Sequence, residues 1–145
     1  MKEIVKIIFL DIDGVLNVNA QGRDNYGQLF HKHFMDNLKR IVDETGAKIV
    51  LSSSWRKDGG LKLIKEMWVY RGLAGEVIDV TPDLSIQKKK SPFDDTDDSN
   101  QDEIMNSTYV IPRGCEIDFW LCSQSKYKIE SYVILDDDEF GMLFH

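Results

Sequence analysis

Two carboxylates stand two residues apart at the end of an apolar run: Ile7-Ile8-Phe9-Leu10 leads into Asp11-Ile12-Asp13-Gly14. In a strand, residues two apart project to the same side. Ionising two carboxylates at the mouth of an apolar strand is costly unless a cation or hydrogen bonds compensate them. The arrangement recurs late in the chain, where Tyr132-Val133-Ile134-Leu135 runs into Asp136, Asp137 and Asp138. In a parallel α/β sheet every strand ends on the same edge, where ligands bind. Two acid-tipped strands there predict a carboxylate cluster in one crevice. Hard oxygen donors of this kind suit Mg²⁺, which takes one or two protein carboxylates together with water and phosphate oxygens. An EF-hand calcium loop is excluded by spacing, because Gly14 follows Asp11 too closely.

The elements that must position these acids alternate between strand and helix, the pattern of a mostly parallel α/β sheet. The first strand is expected at about Val5 to Leu10, followed by a polar loop from Asn17 to Gln28. A helix over His31 to Thr45 carries Phe34, Leu38, Ile41 and Val42 on one face, with Gly46 as its stop. His31 and His33 read as part of that helix start rather than as metal ligands. A second strand, Lys48 to Leu51, ends in Ser52-Ser53-Ser54-Trp55-Arg56. A helix over Leu61 to Tyr70 follows, stopped by Gly72. Then come a strand at Val77 to Val80, a helix at Cys115 to Leu121 and a strand at Tyr132 to Leu135. Nothing between Gly14 and the second strand is long enough for a large inserted cap.

Between Asp83 and Pro112 the periodicity fails. Lys88-Lys89-Lys90 precedes a run of acids from Asp94 to Glu103, interleaved with Ser, Thr, Asn and Gln. This composition buries too little apolar area to offset ordering entropy, so residues 83–112 read as a mobile loop, with a substrate lid as the alternative.

The 145 residues suit one domain, and 42% hydrophobic with 30% charged residues marks a globular chain. A formal net charge of −7 excludes nucleic-acid binding by bulk counterion release, so any such contact needs a local basic patch. Cys115 and Cys122 match no zinc pattern and read as two buried thiols in a reducing compartment. The apolar N-terminal stretch is broken by Lys6 and runs straight into Asp11, and no run reaches transmembrane length. A cytoplasmic protein is expected.

The combination of LDIDGVLN, a serine-tipped second strand and an acid-tipped late strand resembles the haloacid dehalogenase (HAD) superfamily, mostly phosphohydrolases. More narrowly, LSSSWR, RGCEIDFWL and YVILDDD resemble the HAD domain associated with Swiss Army Knife RNA-repair proteins, over nearly the whole chain. The resemblance implies a three-layer, Rossmann-like HAD fold with a minimal cap. It implies Asp11 as nucleophile, forming an aspartyl-phosphate, and Asp13 as general acid and base. Mg²⁺ would be held by Asp11, the backbone carbonyl of Asp13, Asp136 and Asp137. Ser52 takes the place of the phosphate-binding hydroxyl, with Ser53 as the alternative if the strand ends one residue later.

The phosphate-gripping cation of the family is usually lysine. Arg113 is the choice here, its planar fork able to hold two oxygens, with Lys126 and Lys128 as rivals. Glu116 would orient Arg113 or cap its helix. Trp55 and Arg56, beside the crevice, suit stacking on a base and binding a phosphate, so nucleotides or RNA ends are the expected substrates. Asn17 would support the nucleophile loop. Family members add a strand and helix after the last acidic motif, and this chain ends at His145 instead. The rival readings are a phosphatase for small metabolites or proteins, and a non-catalytic phosphate-binding module on the same fold.

Overall fold

In the computed structural model, which describes residues 2–18, 22–84, 86–87, 108–109 and 111–138, the apolar run preceding Asp11 is a central strand. This is β1, Glu3–Leu10, and its last four residues are buried. Strands covered on both faces are apolar without alternation, which is why IIFL is continuous. Next come two short strands, β2 (Arg23–Asp24) and β3 (Gly27–Gln28), paired antiparallel as a hairpin. Then follow α1 (Lys32–Thr45), β4 (Lys48–Leu51), a 3₁₀ turn at Ser54–Asp58, α2 (Gly60–Tyr70) and β5 (Val77–Val80). Two further short strands, β6 (Ile86–Gln87) and β7 (Thr108–Tyr109), pair antiparallel, and α3 (Arg113–Ser123) leads to β8 (Tyr127–Leu135).

The main sheet has the order β5-β4-β1-β8, and every pairing in it is parallel. Ile8, Leu10, Ile49 and Leu51 face α1 and α2, joining Leu38, Ile64, Met67 and Trp68 in one apolar cluster. Val5, Ile7, Phe9 and Val50 face the opposite way, against Ile117 and Trp120 of α3. Helices on both faces of a parallel sheet make the three-layer, Rossmann-like α/β fold expected from the sequence. Burial of these faces is the main stabilising term, at about 25 cal/mol per Å² of apolar surface removed from water.

The ends of α1 follow from local chemistry. His31 caps its N-terminus through Nδ1, which accepts from the His33 N–H, and Gly46 closes the other end at a φ of 66°, donating to the Val42 carbonyl. Between them the exposed ion pairs Lys32–Asp36, Lys39–Asp43 and Arg40–Glu44 stand one turn apart, a spacing that supports helix modestly. No described helix is long and apolar enough to cross a membrane.

Several expectations need correction. The strand expected at Tyr132 starts at Tyr127. A register shift between Val5 and Lys6 leaves Glu130 without a partner on β1, so the positions on the Phe9 face run Ile129, Tyr132, Ile134 and break the twofold alternation. The polar loop from Asn17 to Gln28 contains the β2–β3 hairpin. The cysteines are not both buried: Cys115 is partly covered and Cys122 is exposed. In the 83–112 stretch, β6 and β7 are paired, while the lysine run and the acidic tract, with the mobile-loop and lid readings attached to them, lie outside the described residues.

Candidate active site

The backbone ladder runs one residue past each strand on the same edge. Asp11 N–H donates to the Leu135 carbonyl, Ser52 N–H to Leu10 and Thr81 N–H to Leu51, each at 2.9 Å. The sheet thus brings Asp11, Ser52, Thr81 and Asp136 to one line. After Asp11 the chain makes a single helical turn, with Val15 and Leu16 N–H both donating to the Ile12 carbonyl. That turn buries Ile12 and Leu16 and leaves Asp13 exposed at the rim.

Asp11, Asp136 and Asp137 offer carboxylate oxygens that all lie within 4.8 Å of one another. Arg113, the first residue of α3, reaches into this cluster. Its Nη1 donates to Asp11 Oδ2 at 2.7 Å and to Asp136 Oδ2 at 2.8 Å, and the two carboxylates are almost wholly buried. Burial pushes the Asp11 carboxyl above the usual aspartate range, and the Arg113 guanidinium only partly offsets this. Burial also pulls Arg113 down, but the carboxylates of Asp136 and Asp11 outweigh it and hold the guanidinium more firmly charged than usual.

The donor set suits a hard cation, being three carboxylates converging on one point. Gly14 makes room for it: a Cβ there would lie 1.9 Å from Asp137 Oδ2, and its φ of 81° is strained for any other residue. The acidic cluster can therefore hold a metal ion. Asp13 stands outside it. Asp13 Oδ1 accepts from Asn17 Nδ2 at 2.6 Å and from Trp55 Nε1 at 3.1 Å, while Asn17 Oδ1 accepts from the Gly14 N–H. Asn17, buried under the turn, bonds to both Asp13 and Gly14 in the loop that follows Asp11.

The two candidate serines separate. Ser53 Oγ caps the 3₁₀ turn by accepting from Trp55 N–H, so its hydroxyl is engaged. Ser52 Oγ is buried without a hydrogen-bond partner among the described residues. Such an atom carries a desolvation cost unless a ligand supplies a partner.

Arg56 does not face the crevice. Its Nη2 donates to both carboxylate oxygens of Glu116 at 2.9 Å and its Nη1 to the Ser53 carbonyl at 2.8 Å, all out of solvent. Glu116 also accepts from the Leu84 N–H. Glu116 therefore neither pairs with Arg113 nor caps α3. The pair ties the serine turn to the helix that carries Arg113, one turn from that residue, and only the tertiary structure reveals it. Trp55 packs among Phe30, Gly27 and Arg71, and its N–H donates to Asp13. Lys128 pairs in register with Ile4, at the far end of β8 from the acids, and Lys126 precedes it. Seven residues of strand put that end about 20 Å from the crevice, which leaves Arg113, of these three candidates, as the one at the acids among the described residues.

No curated protein matches this chain, and no solved structure matches it. A family model described as the HAD domain in Swiss Army Knife RNA repair proteins matches residues 7–145. The match begins within the strand that delivers Asp11 and takes in every residue that converges on it, and the chain belongs to this family of HAD domains.

Proposed function

We propose that this domain is a Mg²⁺-dependent phosphomonoesterase that works through an aspartyl-phosphate on Asp11, with nucleotides or phosphorylated RNA ends as substrates. The observation that carries the reading is the buried carboxylate pair bridged by Arg113, with a third carboxylate beside it and Asp13 held apart on its own donors. Family membership supports the hydrolase class, and the family's description, which concerns RNA repair proteins, supports the RNA end.

A carboxylate oxygen of Asp11 attacks phosphorus as the bond to the leaving oxygen breaks, and Asp13 gives that oxygen its proton. Asp13, now ionised, takes a proton from water. The water oxygen attacks the acyl phosphate, the bond from phosphorus to Asp11 breaks, and inorganic phosphate leaves. Asp11 is again a carboxylate and Asp13 again an acid. Ser52 Oγ and neighbouring backbone N–H groups hold phosphoryl oxygens without adding a competing base. Arg113 grips a further oxygen while fixing the orientation of Asp11. When bound by Asp11, Asp136, Asp137 and the Asp13 carbonyl, Mg²⁺ supplies the positive charge that lets an anionic nucleophile approach an anionic phosphate.

Phosphate release should be measured from a nucleoside monophosphate, an end-phosphorylated RNA oligonucleotide, a sugar phosphate and a phosphopeptide, with Mg²⁺ and with EDTA. Release from the first two, abolished by EDTA and by Asp11→Asn, is the expected result. Preference for the sugar phosphate or the phosphopeptide would move the substrate class. Phosphate binding without turnover of any compound would favour a binding module.

A further inference from the structure

We infer that Trp55 is a positioning residue for Asp13, its indole N–H fixing the plane and direction of the carboxyl. The inference rests on the phosphomonoesterase reading and assigns Trp55 a role different from base stacking. Both side-chain donors to Asp13 among the described residues, Asn17 Nδ2 and Trp55 Nε1, fall on Oδ1. Two donors on one oxygen fix the carboxyl plane and so the direction in which Oδ2 points. Asn17 comes from the same turn as Asp13, whereas Trp55 comes from a different element, the turn after β4. Among the side chains that donate to Asp13 within the described residues, Trp55 is the one that links the acid to the turn following Ser52.

The indole is itself held. Phe30 lies 5.6 Å from it between ring centroids, and the Arg71 guanidinium sits 4.5 Å over Phe30 and 5.9 Å over Trp55. Arg71 is in turn fixed by Asp24 through Nε at 2.9 Å and Nη2 at 2.7 Å, and it donates to the carbonyls of Gly27 and Gln28. A Cβ on Gly27 would stand 3.3 Å from the indole Cη2, so the hairpin closes directly on the ring. The chain of contacts runs from the hairpin through Arg71 and Trp55 to Asp13. Its consequence is an acid that does not need to be ordered by the substrate.

Trp55→Phe removes the indole N–H while keeping a smaller aromatic ring against Phe30 and Arg71. The discriminating readout is kcat/KM, which reports the step in which the leaving group departs. An alkyl phosphate needs a proton from Asp13 at that step, whereas dinitrophenyl phosphate departs without one. The expected result is a fall of about tenfold or more for the alkyl ester, with the aryl ester within about twofold of wild type. Equal losses on both esters would mean a merely structural role, and no loss on either would mean that the N–H is idle; each overturns the inference. A second measurement needs no turnover. Of the three tryptophan indole N–H resonances, the one lost in Trp55→Phe should be the one that shifts in Asp13→Ala. An unmoved Trp55 resonance overturns the inference. If the wild-type chain hydrolyses neither ester, the phosphomonoesterase reading falls and the catalytic role of Trp55 falls with it, even if the resonance shifts.

Discussion

At the scale of single residues, the site depends on atoms that are absent as much as on those present. Gly14 lacks the Cβ that would meet Asp137 Oδ2, and its backbone takes a left-handed φ. Gly14→Ala should therefore displace the Asp137 carboxylate and strain the turn by about 1–3 kcal/mol. We expect Mg²⁺ affinity, read by calorimetry, to fall about tenfold or more while the circular dichroism of the fold persists. Unchanged affinity would remove Asp137 from the ligand set. The acids were legible in the sequence because they end recognisable apolar strands, whereas Ser52 and Arg113 were singled out by the family resemblance. Arg56 was misread because its neighbours in sequence suggest the crevice, while its partner, Glu116, lies 60 residues away. No local pattern distinguishes a buried ion pair from a phosphate contact.

At the scale of elements, that ion pair joins the turn after β4 to α3, and so ties the serine-tipped strand end to the helix that presents Arg113. Removing one member of a buried pair leaves an uncompensated charge, and Arg56 Nε already has no hydrogen-bond partner among the described residues. Glu116→Ala should cost about 3–5 kcal/mol, seen as a lower denaturant midpoint at unchanged slope. Replacing both residues by apolar side chains should recover much of that loss. A single variant as stable as wild type would contradict a structural role for the pair. The long elements were legible from periodicity, with β4 and β5 at their observed bounds and α1 one residue shorter than expected at its start. What escaped has a physical cause in each case. The first half of β8 hides behind a bulge that changes which residues face inward. The β2–β3 hairpin has two residues per strand, too few to establish an alternation, and is held by Arg71 and by an aspartate turn in which Asp24 Oδ1 accepts from Tyr26 N–H.

At the scale of the whole molecule, the parallel order β5-β4-β1-β8 is what turns two distant acidic motifs into one site. Asp11 and Asp136 share Arg113 because β1 and β8 are neighbours in register from Leu10 to Leu135 at their ends. Family membership and this topology agree, and both were legible from the two motifs together with the alternation between them. The central claim is that Asp11 becomes covalently phosphorylated. The direct measurement is to mix the protein with Mg²⁺ and acetyl phosphate, quench in acid, reduce the acyl phosphate with borohydride and map the product by peptide mass spectrometry. The account predicts homoserine in place of Asp11 in the wild-type chain and no labelled residue in a folded Asp11→Asn variant. A folded, Mg²⁺-binding wild-type chain that releases phosphate without labelling Asp11, or that labels another residue, would contradict it.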